Sequence, residues 1–172
     1  MNRLILIIAS RWSRLVLVLF LVLSLQTTVF ADLRPFGIAA QVVLLFVVCA
    51  GVSFGVSVGA VVGLIAGLMY DFVLTTPIGL GSLALGLTGA TAGLLIYFYP
   101  NPTWWMQVVA VAAVSALGEI YFPLAQSMVG LDGWLQFRLL KVIAIVVVVN
   151  VVLAPGVLFI SRWTLSERKN PI

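Results

Sequence analysis

The chain has 172 residues, 63% of them hydrophobic and only 8% charged, with a mean hydropathy of +1.26. Soluble domains carry about 25% charged residues, so this is an integral membrane protein whose apolar segments leave no stretch for a separate soluble domain. The net charge of +4 comes from a few Lys and Arg near segment ends, a topology signal that excludes nucleic acid as a partner because no dense basic face exists.

Arg3, Arg11 and Arg14 precede the apolar run LVLVLFLVLSLQTTVFA. Val29-Phe30-Ala31 resembles a signal-peptide cleavage site, but the apolar stretch exceeds a usual signal core, so an uncleaved helix over 12–31 is expected. Asp32 to Gly37, with Pro35 and Gly37 as breakers, reads as a loop. Residues 38–74 hold no charge until Asp71 and extend roughly 55 Å as helix, too long for one span and slightly short for two. Dividing the stretch near Ala50 to Ser53 gives a short second helix, 37–50, and a Gly-rich third, 53–74; a re-entrant second segment is the alternative. A fourth helix is expected over 78–98, a fifth over 105–129 and a sixth over 135–160, with Pro155 as its kink. Between the fourth and fifth, YFYPNPTWW carries the aromatic residues that favour a membrane surface.

The third segment is expected to be the central helix of a compact bundle. Gly51, Gly55, Gly59, Gly63 and Gly67 recur at every fourth position, and Gly86, Gly89 and Gly93 form a small-residue face on the fourth helix. Residues four apart share a helical face, and glycine there lets another backbone approach closely, so these eight are expected to form a packing or partner seam. The flanks with Arg3, Arg11 and Arg14, and with Arg162, Arg168 and Lys169, place both termini in the cytoplasm, which an even number of spans satisfies.

With six spans, Asp71, Glu119, Arg138 and Lys141 share the outer half of the bilayer. A charge at mid-helix costs at least ~2.5–3.5 kcal/mol, so such groups pair or face a wet cavity. An intramembrane polar cluster of Tyr70, Asp71, Glu119, Arg138 and Lys141 is therefore expected, with Glu119 meeting Lys141 or Arg138. Ser115 and Gln126 share roughly one helical face with Glu119. Snorkelling of Arg138 and Lys141 to the surface, and an interfacial helix-end role for Asp71, are the plainer readings. Cys49 is the only cysteine, and there are no histidines. No nucleophile with a partnered base, metal-ligand cluster or phosphate loop stands out, so no catalytic residue, metal or cofactor is assigned.

LQTTVF at 25–30, GLMYD at 67–71 and PIGLGSLAL at 77–85 resemble the MreD family of rod-shape-determining membrane proteins. One departure is Ala40-Gln41, where many members have a Pro-Asp pair opening the second helix. The resemblance implies an all-α bundle of six transmembrane helices similar to the substrate-binding subunits of energy-coupling-factor transporters. It also implies a non-enzymatic scaffold of the cell-elongation machinery (the elongasome) in the bacterial inner membrane. The implied partner is a single-span MreC-type protein, and through it the peptidoglycan transpeptidase, the glycan polymerase and the actin-like filament. Carried over residue by residue, Gly63, Gly67, Tyr70 and Asp71 fall in the family's most recognisable motif, and Gly79 and Gly81 in the turn after it. The competing reading is a small-solute-binding membrane subunit of a transporter, whose energy coupling a second protein would have to supply.

Overall fold

In the computed structural model, residues 10–32, 38, 40–73, 77–99, 101–130 and 137–166 are described. They form six helices: α1 (Arg11–Asp32), α2 (Val42–Phe54), α3 (Val56–Val73), α4 (Leu80–Phe98), α5 (Trp104–Met128) and α6 (Phe137–Leu165). Five are long and apolar enough to cross a membrane, and α2 is the exception. Residues 1–9, 33–37, 131–136 and 167–172 lie outside the described residues, and with them most of the expected 32–37 loop and Arg3, Asp132, Arg168 and Lys169.

The helix at the centre of the bundle is α2, not the glycine-rich α3. Its residues from Val42 to Val52 are all buried, and it packs against each of the other five helices. A helix apolar on every side is stable only when neighbours surround it, and VVLLFVVCAGV has no polar face to turn outward. Thirteen residues rise about 20 Å, well short of the ~30 Å hydrocarbon core.

The boundaries near α2 correct the expected ones. The helix runs from Val42 to Phe54, not 37–50, so Gly51 belongs to α2 and the glycine ladder is divided between two helices. The break is at Gly55, whose φ of +86° lies in the left-handed region that only glycine enters freely. Its N–H still closes α2 on the Gly51 carbonyl at 2.8 Å, while its own carbonyl accepts the first α3 bond, from Gly59, at 2.9 Å. The chain therefore turns from one helix into the next through a single residue.

On α1, Leu15, Leu19 and Leu23 recur at four-residue spacing and are buried against α2, whereas Leu17, Phe20 and Leu21 face outward as lipid-facing side chains should. A second apolar core joins Leu45, Val48, Cys49 and Val52 of α2 to Val111 and Val114 of α5 and Ala154 of α6. The described helix α6 continues through Pro155 to Leu165, five residues past the expected end.

Candidate functional site

The most extensive helix pair, α3 with α4, is held by glycine. A Cβ added at Gly59 would collide with the Gly89 carbonyl, at Gly63 with the Leu85 carbonyl, and at Gly67 with the backbone of Gly81 and Ser82. These contacts step by four along both helices in opposite directions, which is the register of two antiparallel backbones in direct contact. Gly51 of α2 and Gly93 of α4 extend the seam past the Gly55 break, since a Cβ at either would meet backbone of the facing segment. Gly86 differs, because its added Cβ would press on the Leu64 side chain, at 3.0 Å, and meet backbone only at ordinary contact distance, the Ala60 carbonyl at 3.8 Å. Gly55 has nothing within 4 Å of an added Cβ of its own, although its backbone lies against Gly93. The small-residue faces are thus turned toward one another inside this chain.

Asp71, in the last turn of α3, caps α4. Its Oδ1 accepts the Gly81 N–H at 2.8 Å, and its Oδ2 accepts the N–H groups of Gly79 at 2.8 Å and Ser82 at 3.2 Å. The first backbone N–H groups of a helix have no partner within it, and the N-cap residue here is Gly79, which has no side chain to supply one. Asp71 does so from the neighbouring helix, and its negative charge meets the positive end of the α4 dipole. Only 2% of the residue is exposed.

The same device recurs at α2. Gln41, its N-cap residue, makes no side-chain cap bond. Gln26 of α1, buried in the interior, accepts the Val43 N–H at 2.9 Å instead. Within hydrocarbon a free backbone N–H costs several kcal/mol, so a helix that begins below the membrane surface needs such a cap from a neighbour.

Between these caps and α6 runs a line of buried polar groups. Tyr70 stacks edge-on against Phe122 of α5, ring centroids 5.9 Å apart, and lies within electrostatic range of Gln26 and Glu119. Glu119 is 4% exposed, and its Oε1 has no hydrogen-bond partner. One turn earlier on α5, Ser115 accepts a hydrogen bond from Asn150 Nδ2 of α6 at 3.0 Å. Both of these residues are fully buried, and the Asn150 Oδ1 is unpartnered. Thr88 of α4, also fully buried, lies against Gly118 and donates back to the Ala84 carbonyl at 2.7 Å.

Of the residues expected to cluster, Asp71 is engaged by the α4 cap, and Tyr70 lies within electrostatic range of both Asp71 and the buried Glu119. Lys141 is exposed on α6 and makes no ion pair with Glu119 among the described residues. A long ammonium side chain near a helix end reaches water at little cost, whereas meeting Glu119 would require desolvating it. The Arg138 side chain lies outside the described residues.

The start of α1 meets the end of α6 at the opposite end of the bundle. Arg14 donates to the carbonyls of Trp163 at 3.1 Å and Ser166 at 2.7 Å, satisfying the C-terminal end of α6. Arg162 donates to Gln107 Oε1 at 2.7 Å and Ser53 Oγ at 3.4 Å, joining the ends of α6 and α2 to the start of α5. Beside this end, an apolar groove of about 210 Å³ opens between α4 and α5, lined by Leu95, Tyr99, Trp105 and Val109 among others.

Sequence reasoning passed over Gln26, Thr88, Asn150, Arg14 and Arg162 as site residues. The available signal for Gln26 and Asn150 was a lone amide within a long apolar run, which in a membrane segment marks an interior contact.

A family model described as rod shape-determining protein MreD matches residues 6–164. The chain belongs to that family. No curated protein and no solved structure matches significantly.

Proposed function

We propose that this member of the MreD family is a non-enzymatic scaffold of the bacterial cell-elongation machinery, holding a single-span MreC-type protein and, through it, the wall-synthesis enzymes and the actin-like filament. Its role in determining rod shape rests on the family match over residues 6–164, and that match carries the reading. The packing supports an adaptor more than a carrier. The glycine faces are engaged between the chain's own helices, and Asp71 and Gln26 are engaged as caps, which makes the bundle a rigid platform. Partners are then left the lipid-facing surface. Residence in the cytoplasmic membrane with both termini in the cytoplasm accords with Arg11, Arg14 and Arg162 lying at one end of the bundle.

The test is photocrosslinking in cells from outward-facing positions on separate helices: Leu21 on α1, Phe72 on α3, Leu87 on α4, Val109 on α5 and Val152 on α6. Capture of one single-span protein from a contiguous subset, with wall synthases in the same affinity pull-down, is the expected result. Recovery of a nucleotide-hydrolysing module or a tightly held small molecule instead would establish the transporter reading.

A further inference from the structure

Two recesses at the end of α4 share Ile96. One is the groove of about 210 Å³ against α5, lined by apolar and aromatic side chains. The other is a wider, more polar cleft of about 810 Å³ that reaches Ser53, near the end of α2. Arg162 is tied to both. It donates to Ser53 Oγ in the cleft and to Gln107 Oε1. Gln107 Nε2 donates in turn to the carbonyl of Pro102, on the groove wall, at 3.2 Å. A guanidinium has five N–H groups, and these two bonds use two of them on an exposed side chain.

The groove faces hydrocarbon, and its size limits what can enter. One turn of α-helix, about 10 Å across and 5.4 Å high, already exceeds 210 Å³, so the groove fits a single extended chain. Tyr99 and Trp105 on its walls are residues that favour headgroup level, which puts its mouth at the membrane surface. The charge at this end is complementary to an anion. Arg11, Arg14 and Arg162 lie here, and the flanking sequence adds Arg3, Arg168 and Lys169 against a single acid, Glu167.

We propose that this end of the bundle holds one anionic phospholipid of the cytoplasmic leaflet, its phosphate on the remaining N–H groups of Arg162 and one acyl chain in the α4–α5 groove. The planar fork of arginine matches phosphate, and basic recesses between helices on the cytoplasmic side take anionic headgroups. Ser53 and Gln107 already hold the guanidinium, which lowers the cost of ordering it on a ligand. Cations that only set topology would attract anionic lipid diffusely, whereas this site needs the groove as well as the charge. The inference rests on residence in the membrane, so it stands or falls apart from the scaffold reading.

Native mass spectrometry of the full chain in detergent tests it, with phosphatidylglycerol or phosphatidylcholine of matched acyl chains added. The wild type is expected to retain one phosphatidylglycerol at concentrations where phosphatidylcholine is not retained. Arg162→Ala should weaken that retention about fivefold, the factor one basic residue contributes near an anionic surface. Ala113→Phe, which places a ring at an exposed position of the groove, should weaken it with Arg162 intact. Lys141→Ala, toward the other end of the bundle, should leave it unchanged. Equal retention of the two lipids by the wild type would overturn the proposal, as would an unchanged preference in Arg162→Ala. Both outcomes are readable even if Ala113→Phe does not fold. Full retention by a folded Ala113→Phe would also overturn it, because only diffuse attraction to a basic surface would then remain.

Discussion

Asp71 and Gly81 fit each other as a pair: the aspartate Oδ1 accepts the glycine N–H at 2.8 Å, and a Cβ on residue 81 would lie 2.5 Å from that same oxygen. The carboxylate reaches the α4 terminus because nothing projects from the helix at that point. Asp71→Ala strands three N–H groups and is expected to cost roughly 3 kcal/mol or more, read as a large fall in the thermal midpoint in detergent. Asp71→Asn keeps one accepting oxygen and should lose about half as much. Gly81→Ala should also destabilise, and the double variant Asp71→Ala/Gly81→Ala should fall short of the sum, because the alanine then meets no carboxylate. Strict additivity would show that the two residues act separately.

Much of this arrangement lay within residues legible in the sequence, though its logic was not. The stretches that carry the family resemblance, 25–30, 67–71 and 77–85, contain Gln26, Asp71, Gly79 and Gly81, and these residues make the two caps supplied by neighbouring helices. Such a cap joins residues eight or more apart and depends on how helices meet, so no local pattern announces it. The glycine spacing continues unbroken through Gly55, where only a positive φ divides the helix. The centrality of α2 followed from a feature available in plain view, a segment apolar on all sides, which the charge-free run from 38 to 70 blurred into its neighbour. The exposure of Lys141 depends on solvation at the helix end and is not encoded in its spacing from Glu119.

The glycines of the α3–α4 seam are expected to separate into two classes. At Gly63 an added Cβ meets the Leu85 carbonyl, and backbone cannot yield without parting the helices, so Gly63→Ala should lower folded yield sharply. At Gly86 the obstacle is the end of the Leu64 side chain, which can rotate, so Gly86→Ala should be mild. Gly156 on α6 has open space around it and serves as the neutral control. Fluorescence-detected size exclusion of the three variants orders them. Equal losses at Gly63 and Gly86 would contradict direct backbone contact as the cause.

At Gly55 the penalty is conformational. No atom lies within 4 Å of an added Cβ, yet φ is +86°. Gly55→Ala should cost about 1–2 kcal/mol from the left-handed backbone alone. Gly55→Asn should lose at least as much, because a ψ of −175° places the residue in the extended positive-φ region that glycine alone populates, away from the left-handed helical region that asparagine tolerates. Thermal midpoints of the two variants check the order, and an alanine as stable as wild type would mean that the α2–α3 turn can relax.

The arginines at the terminal end should matter locally more than globally. Arg162 is exposed while it bridges Gln107 and Ser53, so Arg162→Ala is expected to cost under about 1 kcal/mol. Its effect should appear instead as faster hydrogen exchange in the last turn of α2 and the first of α5. Arg162→Lys should not restore protection, since one ammonium cannot reproduce the forked contact with two residues. Unchanged exchange in Arg162→Ala would show that apolar packing alone holds these ends.

The Ser115–Asn150 hydrogen bond tests how strongly α5 and α6 are held by polar contact. Removing one partner leaves the other buried without its bond, so Ser115→Ala and Asn150→Leu should each destabilise the bundle. The double variant has neither polar group and should be less damaged than the sum of the two. Interhelical hydrogen bonds in membranes average about 0.6 kcal/mol by such cycles, and a coupling of that order is expected from a single neutral bond. A markedly larger coupling would mean that Ser115 and Asn150 act together with Glu119 as one network, since deleting either would also disturb the carboxyl group one turn away. Repeating the cycle in a Glu119→Gln background separates the cases. A pairwise bond keeps its coupling there, and a network loses the excess.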